Sequence, residues 1–187
     1  MPTARVQGGF SLIELVMVIV ILGVVGATVA VFMRQPVDAY VDTTRRAALS
    51  DLADGAVRRI SRDVRRALPN SVRNPSSQCI EFIPTRTGGR YRAALSSTGT
   101  GDMLDFSIAD TSFGVFGDLS GLPPDQRVAV GDVVVVYNLG IAGANAYDGD
   151  NTAAVTGVSS GAESTISIGA KQFPLASPTN RFHVVPG

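Results

Sequence analysis

The chain carries one cysteine, one histidine and no net charge, with 16 basic residues balanced by 16 acidic ones over 187 positions. Neutrality removes any global argument for nucleic acid or for an acidic substrate, so a charge signal has to be local. The single cysteine, Cys79, has no partner in this chain for a disulfide. In an oxidising compartment it is expected to be bonded to another chain or buried as a free thiol. His183 lies in an apolar stretch near the C-terminus and reads as structural. A Cys79/His183 pair would be a nucleophilic combination, but no nucleophile motif, glycine-rich phosphate loop or ligand cluster accompanies it. The residues therefore point to no catalytic site, no metal and no cofactor, and the chain is not expected to be an enzyme. No internal repeat is evident.

What is present is an asymmetry. The length suits one folded head, and a hydrophobic content of 45% is ordinary, yet the apolar residues crowd towards the N-terminus. From Leu15 to Met33 the chain runs nineteen residues without a charge, and between Phe10 and Met33 the only ionisable side chain is Glu14. As a helix, that stretch would reach about 36 Å at 1.5 Å per residue, more than the roughly 30 Å of a hydrocarbon core. A cleaved secretory signal is disfavoured, because its apolar region is normally about 7–15 residues, and a cut near Ala27 or Ala30 would strand Val31, Phe32 and Met33 at a new terminus. A plain single-pass anchor explains the length but not Glu14, whose carboxylate is costly near lipid. A buried core helix fails because so small a domain cannot bury an all-round apolar stretch of this length.

The segment Gly8-Gly9-Phe10-Ser11-Leu12-Ile13-Glu14-Leu15, followed by the apolar run, resembles the cleavage and methylation signature of type IV pilin-like prepilins. The resemblance implies that a prepilin peptidase cuts between Gly9 and Phe10 and methylates the new amine on Phe10. A glycine suits a peptidase that draws in extended backbone beside an apolar helix, where a Cβ would collide. The resemblance also implies that Glu14 pairs with the Phe10 amine of a neighbouring subunit. Charge counting gives no clean topology, since Arg34, Arg45 and Arg46 follow the span and only Arg5 and the terminal amine precede it. The motif decides instead, with the leader cytoplasmic and the head periplasmic.

Four segments are expected: a leader at 1–9, a transmembrane and polymerisation helix at 10–33, its amphipathic continuation at 34–68, and a β-rich head at 69–187. Pro36 should disturb the helix locally. Beyond it Val37, Val41, Ala48, Leu52, Ala56, Ile60, Val64 and Leu68 recur at steps of four, with one step of seven, and trace a face on which the head is expected to pack. Leu68-Pro69-Asn70-Ser71 is a stop signal, placing the end near Ala67 or Leu68. The arginines of this helix read as a solvated face, with Asp42–Arg46, Asp54–Arg58 and Arg59–Asp63 spaced for weak pairing. With no aromatic residues between them to stack on bases, nucleic acid is not an expected partner.

From Cys79 onward, short apolar or alternating runs separated by Gly, Ser, Pro and Asp predict strands at 79–83, 91–95, 103–108, 128–130, 133–137, 165–168 and 182–185. The unbroken Val133–Tyr137 run suggests a strand covered on both faces. The main loops are expected at 114–126 and 138–151. Asp148-Gly149-Asp150-Asn151 offers oxygen ligands, but its spacing is not that of an EF-hand, and a turn is the preferred reading. The fold class expected is α+β, a long N-terminal helix on a β-rich head.

Through Arg65-Arg66-Ala67-Leu68-Pro69-Asn70-Ser71-Val72-Arg73 and the helix before it, the chain resembles the MshO-like minor pilins of MSHA pilus biogenesis. It is also similar to the J-type minor pseudopilins of type II secretion. Such relatives are usually longer and carry further cysteines, and this sequence stops at Phe182-His183-Val184-Val185-Pro186-Gly187 in what reads as a strand and a turn, so whether it is a C-terminal truncation stays open. The resemblance implies a single-pass protein of the bacterial inner membrane, surrounded by lipid before assembly. The stem would then bundle with other pilin or pseudopilin subunits through the work of an inner-membrane assembly platform. An adhesin or DNA-binding minor pilin is the rival class.

Overall fold

The computed structural model describes residues 9–161 and 163–187; Gly8, Arg5 and the rest of the expected leader before Gly9 lie outside the described residues. The chain divides into two units, Met1–Val57 and Arg58–Gly187. A single helix, α1 (Leu12–Arg65), is followed by a β-rich domain, the α+β, pilin-like layout expected. Helix assignment continues through Pro36, where the missing N–H leaves the carbonyl four residues earlier without its helical partner.

The helix stops at Arg65, slightly earlier than the proline alone suggests. Its last turn tightens: the Arg66 and Ala67 amides each donate to a carbonyl three residues back, on Asp63 and Val64, both at 3.0 Å. Ala67 then bridges to Pro84, and the Leu68 amide donates to the Ile83 carbonyl at 2.7 Å. The apolar stripe expected to carry the head is exposed at Val37, Val41, Leu52 and Ile60, with burial starting only at Val64 and becoming complete at Leu68. None of the expected pairs within the helix closes; the ion pairs among the described residues are Arg73–Glu81, Arg86–Asp132 and Arg92–Glu163.

The head holds a two-stranded ladder, β1 (Arg73–Ser76) with β2 (Cys79–Glu81), and a larger antiparallel sheet. The latter comprises β3 (Thr87–Arg90), β4 (Asp110–Val115), β5 (Val133–Val136), β6 (Thr152–Ser159), β7 (Ser164–Lys171) and β8 (Arg181–Val185), ordered β3-β8-β5-β6-β7-β4. Its outer strands meet. Tyr91, just past β3, bridges to Val115 on β4, the Arg92 amide donates to the Gly114 carbonyl at 2.8 Å, and the Phe116 amide donates to the Arg90 carbonyl at 3.1 Å. The sheet thus curls towards a closed barrel, which leaves few free edges. Its interior is filled by Tyr91, Phe113, Val134, Val136, Ile166, Phe182, Val184 and their neighbours.

Strand β5 is covered on both faces, as its composition predicts. Val134 and Val136 face the main core, while Val135 packs outside with Leu68 and Val185, flanked by Ile83, Val133 and Ala146. The runs at 91–95, 103–108 and 128–130 are not strands. In 103–108 the alternation reflects a loop that dips inward: Leu104 is buried and the Phe106 ring lies 5.7 Å from that of Tyr91. Asp110 accepts from the Asp105 amide at 2.8 Å and Asp105 from the Ser107 amide at 2.7 Å, local bonds that compete with a ladder. At 128–130 the Ala129 amide donates to the Asp132 carboxylate at 2.9 Å and turns the chain. Conversely, β1, β3, β4 and β6 were not among the expected strands. Thr87-Gly88-Gly89-Arg90 reads as a turn by composition, yet an added Cβ on Gly89 would lie 3.0 Å from the Phe182 ring, so the glycine admits that core aromatic.

Candidate functional site

Gly9 and Phe10 precede the helix, both exposed. A Cβ built on Gly9 would meet nothing within 4 Å, so the fold itself makes no demand for glycine there. Ser11 starts the helix. Its hydroxyl accepts from the Glu14 amide at 3.3 Å, and its carbonyl accepts from the Glu14 and Leu15 amides at 3.1 and 3.3 Å. Ser11-Leu12-Ile13-Glu14 therefore matches the N-terminal half of a capping box, a role for Ser11 that the Ser-x-x-Glu spacing signals. Glu14 lies in the first turn, where a negative charge complements the helix dipole, and its side chain is exposed.

Behind Glu14 the apolar side chains stand on every side of the helix and all are exposed, from Leu12 to Met33. Among the described residues α1 is the one helix long and apolar enough to cross a membrane, and the most apolar window in it has no buried share. A surface of this kind is unstable in water and is solvated well by lipid or by like helices.

Residues 4–30 match the prokaryotic N-terminal methylation motif. The match spans Gly9, Phe10 and Glu14 and ends inside the apolar run; its first residues lie outside the described part of the chain. It supports a type IV pilin-like prepilin, that is, a structural subunit processed by a prepilin peptidase, anchored by its apolar helix and assembled with other pilins. No curated protein matches the chain, and no solved structure does.

The remaining candidates are dispersed over the head. Cys79 is on β2, free and exposed, which corrects the alternative of a buried thiol. His183 is on β8, half-buried, with its pKa pushed below the usual value by burial and, secondarily, by the charge of Arg181. In the 138–151 loop, Asn145 caps a short turn at Ala146–Asp148, accepting from the Tyr147 amide at 3.2 Å and donating to Asp148 at 2.6 Å. Gly149 adopts a left-handed φ of 76°, and the Lys171 ammonium donates to its carbonyl at 3.0 Å.

Proposed function

We propose that the chain is a minor pilin or pseudopilin that helps assemble or cap an MSHA-like type IV pilus. The observation that carries this is the coincidence of the methylation motif at 4–30 with a helix whose apolar side chains from Leu12 to Met33 have no cover in the chain itself. Cleavage falls between Gly9 and Phe10, and Phe10 receives the methyl group. The open space around Gly9 favours this reading, since a glycine that the fold does not need is accounted for by an external enzyme that does. Lipid covers the helix in the inner membrane, with the head in the periplasm, and neighbouring stems replace lipid in the filament. The exposed stripe at Val37, Val41, Leu52 and Ile60 extends that contact surface beyond the bilayer. The J-type pseudopilin alternative shares the same stem and β-rich head, and deletion separates the two: loss of surface pili supports the first, loss of protein export the second.

The test of processing is the N-terminus of the membrane-bound pool in cells that contain prepilin peptidase. The wild type should begin at methylated Phe10, while Gly9→Leu should retain its leader. A Gly9→Leu protein that still begins at Phe10 would sink the cleavage site.

A further inference from the structure

Along β8, Phe182 and Val184 are buried in the main core, so Arg181 and His183 stand on the outer face of the sheet. Across the ladder Arg90 is paired directly with Arg181, and Gly88 with His183. Both arginines are exposed, and among the described residues neither has a carboxylate partner, the ion pairs lying at Arg73, Arg86 and Arg92. Like charges placed opposite each other on neighbouring strands destabilise a sheet. The cost is offset once an anion lies between them.

Two open grooves flank this pair. One, of about 270 Å³, is lined by Gly88, Gly89, Arg90, Arg181, Phe182 and His183. The other, of about 340 Å³, shares Arg181 and His183 and is bounded by Asn70, Tyr137, Asn138 and Thr179 among others. A Cβ on Gly88 would lie 2.8 Å from the Phe182 carbonyl, so the first groove has a floor of bare backbone. Two residues of the second groove, Asn70 and Tyr137, hold left-handed φ values of 59° and 50°, a conformation costly for tyrosine and found preferentially where a site is being shaped.

We propose that Arg90 and Arg181, with these grooves, bind the carboxylate of an acidic side chain on a partner protein. Two guanidiniums on adjacent strands can bracket one carboxylate with paired N–H donors. The grooves hold no cation beyond this pair and His183, whose protonated form is disfavoured by burial and by Arg181. That suits one oxyanion rather than the run of phosphates in a nucleic acid, which calls for a longer cationic track. The proposal stands apart from the N-terminal motif and does not depend on it.

The test uses the full chain in detergent micelles and a fluorescein-labelled hexaglutamate peptide, read by anisotropy. Wild type should bind, and Arg90→Gln/Arg181→Gln should weaken binding at least tenfold. Arg58→Gln/Arg59→Gln, with the same loss of charge on the helix, should change it less than twofold. No binding by wild type at millimolar peptide, equal loss in both variants, or equal binding of hexaglutamine would overturn the proposal. So would tighter binding of a labelled single-stranded oligonucleotide through the same two arginines. Removing a like-charge contact should leave the melting midpoint of Arg90→Gln/Arg181→Gln no lower than wild type, and a clear fall would refute the unpartnered pair on which the site rests.

Discussion

Asn70 and Asn138 clasp each other: the Asn70 side-chain amide donates to the Asn138 carbonyl at 2.9 Å, and the Asn138 amide donates to the carbonyl beside Asn70, on Pro69, at 2.7 Å. The Asn138 side-chain oxygen also accepts from the Ala146 amide at 2.8 Å. One buried side chain thereby ties the exit of the helix, the end of β5 and the 138–151 loop together. Left-handed turns at Asn70 and Tyr137 aim the two strands of chain at each other. Tyr147 adds a bond from its hydroxyl to the Ser71 carbonyl at 3.0 Å, with Arg73 stacked over its ring at 3.6 Å.

Asn138→Ala should therefore destabilise the head by about 1–2 kcal/mol, because it removes a buried side chain and takes a partner from the Pro69 carbonyl and the Ala146 amide in a part-buried setting. Asn138→Asp keeps the acceptor but sets a buried carboxylate against the Pro69 carbonyl, so its effect at neutral pH should be at least as large. Urea unfolding of the full chain in micelles, followed by circular dichroism, measures both. Equal midpoints for wild type and Asn138→Ala would show that the clasp contributes nothing.

The stem stripe gives a second prediction. Leu68 is 1% exposed and packs on Val135 and Val185, so Leu68→Asp buries an uncompensated charge and should cost more than about 3 kcal/mol. Ile60 is 51% exposed, and Ile60→Asp should leave the unfolding midpoint of the head within about 0.5 kcal/mol of wild type. A large loss in Ile60→Asp would mean that the head covers this position in solution. The same substitution should still impair filament assembly if the stripe is a contact between stems.

How much of this was legible depended on the range of the signal. The apolar run, Glu14 and the glycine before Phe10 are local features, and the helix follows from them with no tertiary information. Val133–Val136 was legible too, because a strand covered on both faces needs four consecutive apolar residues. Strand β3 was not, since two glycines hide it and only the neighbouring strand explains them, through the Phe182 carbonyl at Gly88 and the Phe182 ring at Gly89. Nor was β6, where Ala153 and Val155 face inward among Thr, Gly and Ser. Leu104 and Phe106 misled in the other direction, imitating strand alternation from a loop. The Arg90–Arg181 pair was invisible because it joins residues ninety-one positions apart through a register that only the folded sheet supplies.

His183 makes stability depend on pH. Burial and, secondarily, Arg181 lower its folded pKa below the ordinary histidine value of about 6.5, so the unfolded chain binds a proton more readily than the native one. Above the unfolded value both states are neutral and the group contributes nothing; as pH falls through it, unfolding takes up a proton and stability is lost, until the folded pKa is reached. The wild-type midpoint should thus fall more steeply between pH 7 and pH 5 than that of His183→Gln. Parallel pH profiles for the two proteins would remove His183 from the account.

Glu14 is exposed at the start of an apolar helix, a position that becomes costly once lipid or other stems close around it. Cleavage after Gly9 would create a partner in the form of a positive amine on Phe10, with a reference pKa of about 7.7–8.0 that simple methylation does not abolish as a charge. Were the stems bundled with a stagger, the amine reaching Glu14 would be that of the neighbouring subunit. At 4 Å and an effective dielectric of 20 the attraction is about 4 kcal/mol before desolvation is subtracted. Desolvation would consume much of that gain, but removing one partner would leave the other buried alone at a cost of about 3–5 kcal/mol, so such a pair would act chiefly on register. Glu14→Val should accordingly insert and be cleaved like the wild type, while its share of sheared filaments drops at least tenfold. The measurement pairs an N-terminal sequence of the membrane pool with an immunoblot of the sheared fraction. Cleaved Glu14→Val found in filaments at the wild-type level would refute the docking role.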